Sequence, residues 1–321
     1  MKFINLLFKL ISFLLTIAIF ILIALIFYFS MPIKTTKTVV LPKGSITKVI
    51  EHLKTQGYNL TLLDTYLLAY GLNAPKSGTL IIGGKEMSRI AFLRKLSSAK
   101  EAINVITLIP GETKVIFLEK LAKNQALDVD KLNRAYDELS NYKEAGIVPE
   151  TYHIPKDIDE KKLIKILVKQ SEIEYEKLAK KYLKKYDKKE WNRILTIASI
   201  IQKEAATKEE MPIIGSVIYN RLKIGMALQM DGTLNYGKYS HIKVTPKRIK
   251  TDKSRFNTYL NRGLPPYPVC SVSKEAILAA LKPKETDYLY FMKNKSGVHD
   301  FTSSYQEHLR NINRASTVHA K

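Results

Sequence analysis

The chain has a single cysteine, Cys270, among 321 residues. That excludes an internal disulfide and any metal site built from clustered cysteines. Its six histidines, at 52, 153, 241, 299, 308 and 319, form no H-E-x-x-H and no other metal-ligand spacing. No G-x-S-x-G occurs, so a serine hydrolase of the nucleophile-elbow type has no support. Gly83-Gly84-Lys85 lacks the rest of a phosphate-binding loop. Acidic residues are scarce beside basic ones, 30 Asp and Glu against 52 Lys and Arg, for a formal charge of +22. Such a balance first points to nucleic acid. The basic residues, however, alternate with acidic ones along helical patterns such as EYEKLAKKYLKKYDKKE, which read as solvated helix faces in a lysine-rich chain.

Apolar length is abundant at one end. From Leu10 to Ile33 there is no charge, and at 1.5 Å per residue the run spans about 36 Å against a hydrocarbon core of roughly 30 Å. A secretory signal peptide has a shorter apolar region, roughly 7–15 residues, and ends in a small-residue cleavage site. This run ends Tyr28-Phe29-Ser30-Met31-Pro32, so residues 1–33 read as an uncleaved anchor, with Phe27, Tyr28 and Phe29 at the interface. Lys2 and Lys9 precede the run and Lys34 and Lys37 follow it, a small asymmetry. The short head and long tail favour a cytoplasmic head and an exported tail. An exported tail rarely meets nucleic acid. It meets anionic envelope polymers and lipid headgroups, for which positive charge gives weak, salt-dependent attraction.

With 45% hydrophobic residues the remainder is long enough for a sizeable core and two domains. TVVLPKGSITKVIEHL (38–53) reads as a strand, a Pro-x-Gly turn and an amphipathic helix. NVITLIPGETKVIFLEKL (104–121) repeats the pattern, and TLIIGGKEMSRIAFLRKL (79–96) is a looser copy. Residues 34–137 are therefore expected to form a small α+β module. Residues 138–160 form a turn-rich linker in which Pro149 and Pro155 preclude a continuous helix. From Lys161 the pattern is helical. One helix gives way at Asp187 to a second, EWNRILTIASIIQKEAA. A third is expected from Thr207-Lys-Glu-Glu210, which fits a capping box, to Gly225. A helix over 273–282, a strand over 287–293 and a helix near 303–315 come after long, turn-rich loops of the kind that carry function.

On the second helix, Ile197, Ile200, Ile201 and Glu204 fall at i, i+3, i+4 and i+7. Seven residues bring the helix within about 20° of two full turns, so Glu204 shares a face with Ile197. Lys203 follows Thr196 and Ser199 on what reads as the polar face. A carboxyl in an apolar setting has its pKa raised, stays protonated near neutral pH and can deliver a proton, as glycosidic bond cleavage requires. The competing reading is an ion pair of Glu204 with Lys203, Lys208 or Arg221, and periodicity alone leaves both open. Tyr236, Tyr239, Tyr259 and Tyr267, near the loops, fit either sugar stacking or packing.

ASIIQKEA, VIYNRLKIGMALQMDGTLNYG, NTYLNRGLPPYP, TDYLYFMKNKSGVHDF and QEHL occur in the order and approximate spacing of the endolytic murein transglycosylases, the MltG or YceG-like family. The linker's PETY resembles that family's F-P-D-T-Y motif, and the strand–turn–helix units resemble its LysM-like N-terminal portion. The resemblance covers about residues 38–311. It implies an α+β protein with a single N-terminal transmembrane helix, a LysM-like module and a mainly helical, lysozyme-like catalytic domain over 161–321. The implied activity is internal cleavage of nascent peptidoglycan strands at MurNAc–GlcNAc bonds, leaving 1,6-anhydro-MurNAc ends, with no metal or cofactor. Glu204 matches the family's catalytic glutamate. Gln229, Asp231, Thr233, Tyr236, Asn257, Thr258 and Tyr259 match other motif positions. Gln229 and Asp231 are expected in the glycan cleft. Asn220 and Arg221 fit either substrate contact or loop bracing, and His299, Glu307 and His308 match a motif read as structural. The sequence departs from the family pattern at Ala205, Gln202, Gly232, Tyr267, Glu150 and VCSVS (269–273). Implied partners are glycan strands, membrane-bound peptidoglycan synthases and the membrane. A non-catalytic glycan-binding scaffold and a peptidoglycan hydrolase are the rival functions.

Overall fold

The structure, a computed structural model, describes residues 2–316. Met1, His319 and the last five positions of the expected catalytic domain lie outside the described residues. Helices and short strands are mixed, and the chain divides into two compact units. The first comprises 1–104 and 153–158, the second 105–152 and 159–321.

The first unit opens with α1 (Lys2–Ser30), whose stretch Ile4–Ser30 is long and apolar enough to cross a membrane. The helix begins earlier than the uncharged run, carrying Lys9 within it. It also stops three residues before Ile33. Pro32 cannot donate to a helix and biases Met31 away from the helical region, and the chain instead enters β1 (Pro32–Lys34).

β2 (Thr38–Leu41) leads through a turn to α2 (Ile46–Thr55), capped by Ser45. α3 (Leu62–Tyr66) comes next, its Thr61 and Asp64 forming a reciprocal capping box, and it runs into one wider turn over Leu67–Gly71. β3 (Gly78–Ile81) pairs antiparallel with β2, and β4 (Glu86–Ser88) pairs antiparallel with β1. α4 (Arg89–Ser98) closes the third strand–turn–helix segment. Leu53, Leu68, Leu80, Phe92, Leu93 and Leu96 form a fully buried core. Within it Arg89 Nη1 and Asp64 Oδ2 are 2.8 Å apart, both side chains being almost completely buried.

β5 (Ile103–Thr107) carries the chain into the second unit, where α5 (Lys114–Gln125) packs on α6 (Val129–Leu139). The segment expected as a linker holds β6 (Thr151–Pro155), which pairs with β5. By its contacts the chain passes between units at 104/105, so the 104–121 strand–turn–helix segment lies almost entirely in the second unit.

α7 (Glu160–Leu183) and α8 (Lys188–Glu204) match the helical periodicity, with Asp159 and Asp187 as N-caps. α9 spans Met211–Lys223 and starts later than expected. Its capping box does not form. Glu210 instead accepts the Ala206 and His299 N–H groups, at 3.0 and 2.6 Å, and holds His299 Nδ1 at 3.0 Å. α10 (Pro246–Thr251) lies in the long loop region, and α11 (Lys274–Leu281) is capped by Ser273. β7 (Tyr290–Lys293) and β8 (His299–Thr302) make an antiparallel hairpin, followed by α12 (Tyr305–Ser316).

α8 is the central element, packed by α9 and α11 around Trp191, Leu195, Ile197, Ile200 and Ile201. Its supposed polar face is also covered. Thr196 and Ser199 are buried, and Ser199 Oγ accepts the Val269 N–H at 2.9 Å. The 267–273 loop, invisible to local periodicity, covers that side.

Candidate active site

Glu204 is the last residue of α8, half-buried, and Ala205 turns extended behind it. Its Oε1 accepts the backbone N–H of Gly232 at 2.6 Å. None of the ion pairs considered from sequence forms. Lys203 donates to Ser240, Lys208 pairs with Glu275, and Arg221 is bonded to backbone carbonyls. Burial pushes the Glu204 carboxyl up to about 7; the Gly232 hydrogen bond pulls it down, Asp231 raises it and Arg221 lowers it. The carboxyl also stands at the negative end of the α8 dipole, where an anion is disfavoured. The outcome is an acid whose protonated and ionised forms are both accessible near neutral pH.

Gly232 belongs to a tight turn over Asp231–Leu234. A Cβ there would lie 2.7 Å from Glu204 Oε1 and 2.5 Å from Lys203 Cβ. Only glycine lets this backbone approach the carboxyl so closely. Beside it Asp231 is exposed and accepts the Tyr259 hydroxyl at 2.8 Å. Asp231, Tyr259, Arg221 and Glu204 thus share one electrostatic neighbourhood, and burial and Asp231 together raise the pKa of the Tyr259 phenol.

The other motif residues separate into two groups. Gln229 presents an exposed side chain on a left-handed backbone, φ 48°, and its N–H donates to Thr258 O. Tyr236 is half-buried, stacked on Phe256 at 4.3 Å with its hydroxyl on Asp252. Thr233 and Asn257 are buried and turned into the protein. Thr233 bonds Met230 O and Thr258 Oγ1, and Asn257 bridges the Ile249 and Asp252 carbonyls. Asn220 donates to Thr286 O and Tyr288 O. Arg221 donates to Leu289 O at 2.6 Å and to Leu228 O. Thr233 and Arg221 thus fasten the 228–233 stretch that carries the Gly232 turn, while Asn257 fastens the 249–252 segment and Asn220 the segment before β7. Glu307 bonds Thr302 Oγ1, and His308 stacks on Tyr290.

Glu144 is another buried acid, one that the sequence does not mark. Glu144 accepts the Lys114 N–H with both oxygens, at 2.9 and 3.1 Å, and burial pushes it up to about 7. With Lys114, Tyr142, Tyr236 and Tyr267 it lines a cavity of about 440 Å³ whose lining does not include Glu204. Nothing local in NYKEAGIVPETY marks this glutamate as buried.

A model of the YceG-like family matches residues 39–314, most of the chain. The chain belongs to the YceG-like family. An endolytic murein transglycosylase of Bacillus subtilis (strain 168) is 38% identical over 167 residues, 51% of this chain and 46% of that protein. One from Streptococcus pneumoniae serotype 2 (strain D39) is 35% identical over 127 residues, 38% of this chain and 23% of that protein. The matched stretch is thus less than half the length of either curated relative. The crystal structure of a YceG-like protein from Listeria monocytogenes superposes with a TM-score of 0.58 at 26% identity, covering 87% of this chain and 99% of that one.

Proposed function

We propose that this YceG-like chain is a membrane-anchored endolytic lytic transglycosylase of peptidoglycan, with Glu204 as its catalytic acid and base. The observation that carries the reading is the half-buried Glu204 carboxyl, raised to about 7 and held by the Gly232 N–H. In the protonated state Glu204 gives its proton to the oxygen of the MurNAc–GlcNAc β-1,4 bond as the C1–O bond breaks. The resulting carboxylate, stabilised by the Gly232 N–H, takes the proton of the MurNAc 6-hydroxyl. The freed oxygen then bonds C1 and closes the 1,6-anhydro ring. The nucleophile belongs to the substrate, so one carboxylate serves both proton transfers. Gln229, Asp231, Tyr236 and Tyr259 are assigned to the glycan cleft, with Thr233, Asn257, Asn220 and Arg221 supporting it from behind.

The finer organisation belongs to the same proposal. Residues 34–137 supply a LysM-like, glycan-binding module whose last part, 105–137, lies in the second compact unit; 138–160 supply a linker that carries β6, and 161–321 a lysozyme-like catalytic domain. Residues 1–33 hold the chain in the cytoplasmic membrane, with the head inside and the rest exported beside membrane-bound glycan synthases.

One observation favours a hydrolase as the second reading. Asp231, oriented by Tyr259, stands near enough to Glu204 to raise its pKa and is a candidate to hold a water. Product analysis separates the readings. The full chain in detergent and its Glu204→Gln variant are incubated with uncrosslinked glycan strands, and products are weighed by mass spectrometry. Internal fragments with 1,6-anhydro ends, lost in the variant, are the expected result. Fragments heavier by one water establish the hydrolase. Folded protein giving no fragments leaves a glycan-binding scaffold.

A further inference from the structure

Most of α1 has no protein around it, but its last turn does. The Tyr28 hydroxyl donates to Asp64 Oδ2 at 2.7 Å, accepts from Arg89 Nη1 at 3.0 Å and lies 2.5 Å from Thr61 Oγ1. The Arg89 guanidinium also sits 4.3 Å from the centre of the Tyr28 ring. Thr61 and Asp64 are the capping pair of α3. The first turn of α3 is therefore hydrogen-bonded to the last turn of α1, with no slack between them.

From this fixed turn α3 and the wider turn after it present an apolar stripe to the outside. Leu62, Leu63, Tyr66 and Tyr70 are 70, 44, 61 and 85% exposed. Leu62, Tyr66 and Tyr70 recur at four-residue spacing, and the two tyrosine rings stack with centroids 6.1 Å apart. Asp64 and Leu68 point the other way and are completely buried. The stripe is thus an outward face of a segment whose inward face is already used. Lys34 and Lys37, just past the end of α1, are also exposed.

We propose that the Leu62–Tyr70 stripe seats on the bilayer surface where α1 leaves the membrane, with leucines and tyrosine rings at the boundary between headgroups and acyl chains. The occupant is lipid. Continuity with α1 brings the stripe to the interface, tyrosine with an apolar body and polar tip suits that depth, and the two lysines complement anionic headgroups. The first unit is then held flush on the membrane and does not swing from a tether. This rests on the reading of α1 as a transmembrane anchor.

Depth-dependent quenching tests it on the full chain in vesicles of phosphatidylcholine and phosphatidylglycerol. The native Cys270 is buried, so a thiol-reactive fluorophore labels an introduced surface cysteine in the folded protein. Three variants are compared: Tyr66→Cys on the stripe, Ile21→Cys within α1, and Lys54→Cys on the exposed side of α2. A nitroxide near the lipid headgroup quenches the Tyr66 probe, one deep in the acyl chains quenches the Ile21 probe, and neither quenches the Lys54 probe. Adding Leu62→Ser and Tyr70→Ser releases the Tyr66 probe to water, read as a red shift, with circular dichroism unchanged. Quenching at Ile21 with a Tyr66 probe that behaves like Lys54 overturns the seating and leaves the anchor intact. Loss of quenching at Ile21 removes the anchor and the seating together. A blue-shifted but unquenched Tyr66 probe means that protein, a second copy or another chain, covers the stripe, which also overturns the proposal.

Discussion

Glu204→Gln separates a buried catalytic acid from an ordinary surface glutamate through the pH dependence of stability. Gln retains an oxygen to accept the Gly232 N–H but cannot titrate. In the native chain the Glu204 pKa is raised from 4.5 to about 7, chiefly by burial. The folded state therefore binds this proton more tightly than the unfolded state. The Glu204 contribution is most favourable below the unfolded pKa, declines from pH 4.5 to about 7 and is flat above. At ~1.4 kcal/mol per pH unit the full decline is ~3 kcal/mol. Glu204 keeps some solvent contact, which screens part of this and leaves ~1–3 kcal/mol. Relative to the native chain, the variant's stability should rise by that amount between pH 5 and pH 8. Glu144 titrates in the same window in both proteins, so its contribution cancels in the difference. Urea unfolding followed by fluorescence reports on the correct unit, because Trp191 is the only tryptophan and lies on α8. Over the same series glycan cleavage falls ~100- to 10,000-fold, the usual contribution of a general acid–base group. A stability difference that does not change between pH 5 and pH 8 refutes the raised pKa. Retained cleavage refutes the role.

Gly232→Ala forces a Cβ to within 2.7 Å of Glu204 Oε1 and breaks the amide contact that lowers this pKa. The alkaline limb of kcat/KM should move up by ~1 pH unit, with a lower plateau, and a limb left at about 7 contradicts the geometry. Tyr259→Phe removes the 2.8 Å bond to Asp231. A ~10-fold loss in kcat/KM with an unchanged Trp191 unfolding midpoint is expected, corresponding to ~1–1.5 kcal/mol. Unchanged kinetics would show that Asp231 needs no such orientation. Asp64→Ala leaves the buried Arg89 charge without its partner and should destabilise the first unit by ~3–5 kcal/mol. Amide hydrogen exchange in α4 and β3 should then accelerate; unaltered protection counts against the ion pair as a structural element.

The features legible in the sequence were local and periodic. The 3.6-residue pattern located α8 and turned Glu204 toward its apolar face, the helix expected over 273–282 is α11, and the uncharged run marked α1. The concealed features depend on distant segments. Ser199 looks solvated until the 267–273 loop covers it. Glu210 looks like a capping residue until His299, far along the chain, supplies better donors. Gly232 registered only as a departure from family pattern, yet its small size is what lets an amide 28 positions away meet Glu204. Thr233, Asn257, Asn220 and Arg221 matched the same motifs as Asp231 and Tyr259. Motif spacing carries no information on which side chains point outward, so inward braces and outward contacts looked alike.

The division into two units has a topological consequence for anyone wishing to move or remove one of them. The chain passes from the first unit to the second after residue 104, returns at 153 and departs again after 158. No single cut separates the two. Deleting everything up to 104 strips the six-residue return segment of its contacts with the rest of the first unit, and grafting the first unit elsewhere requires two discontinuous pieces of chain. Recombination at one junction, the simplest way for modules to change hosts, cannot exchange this first unit intact.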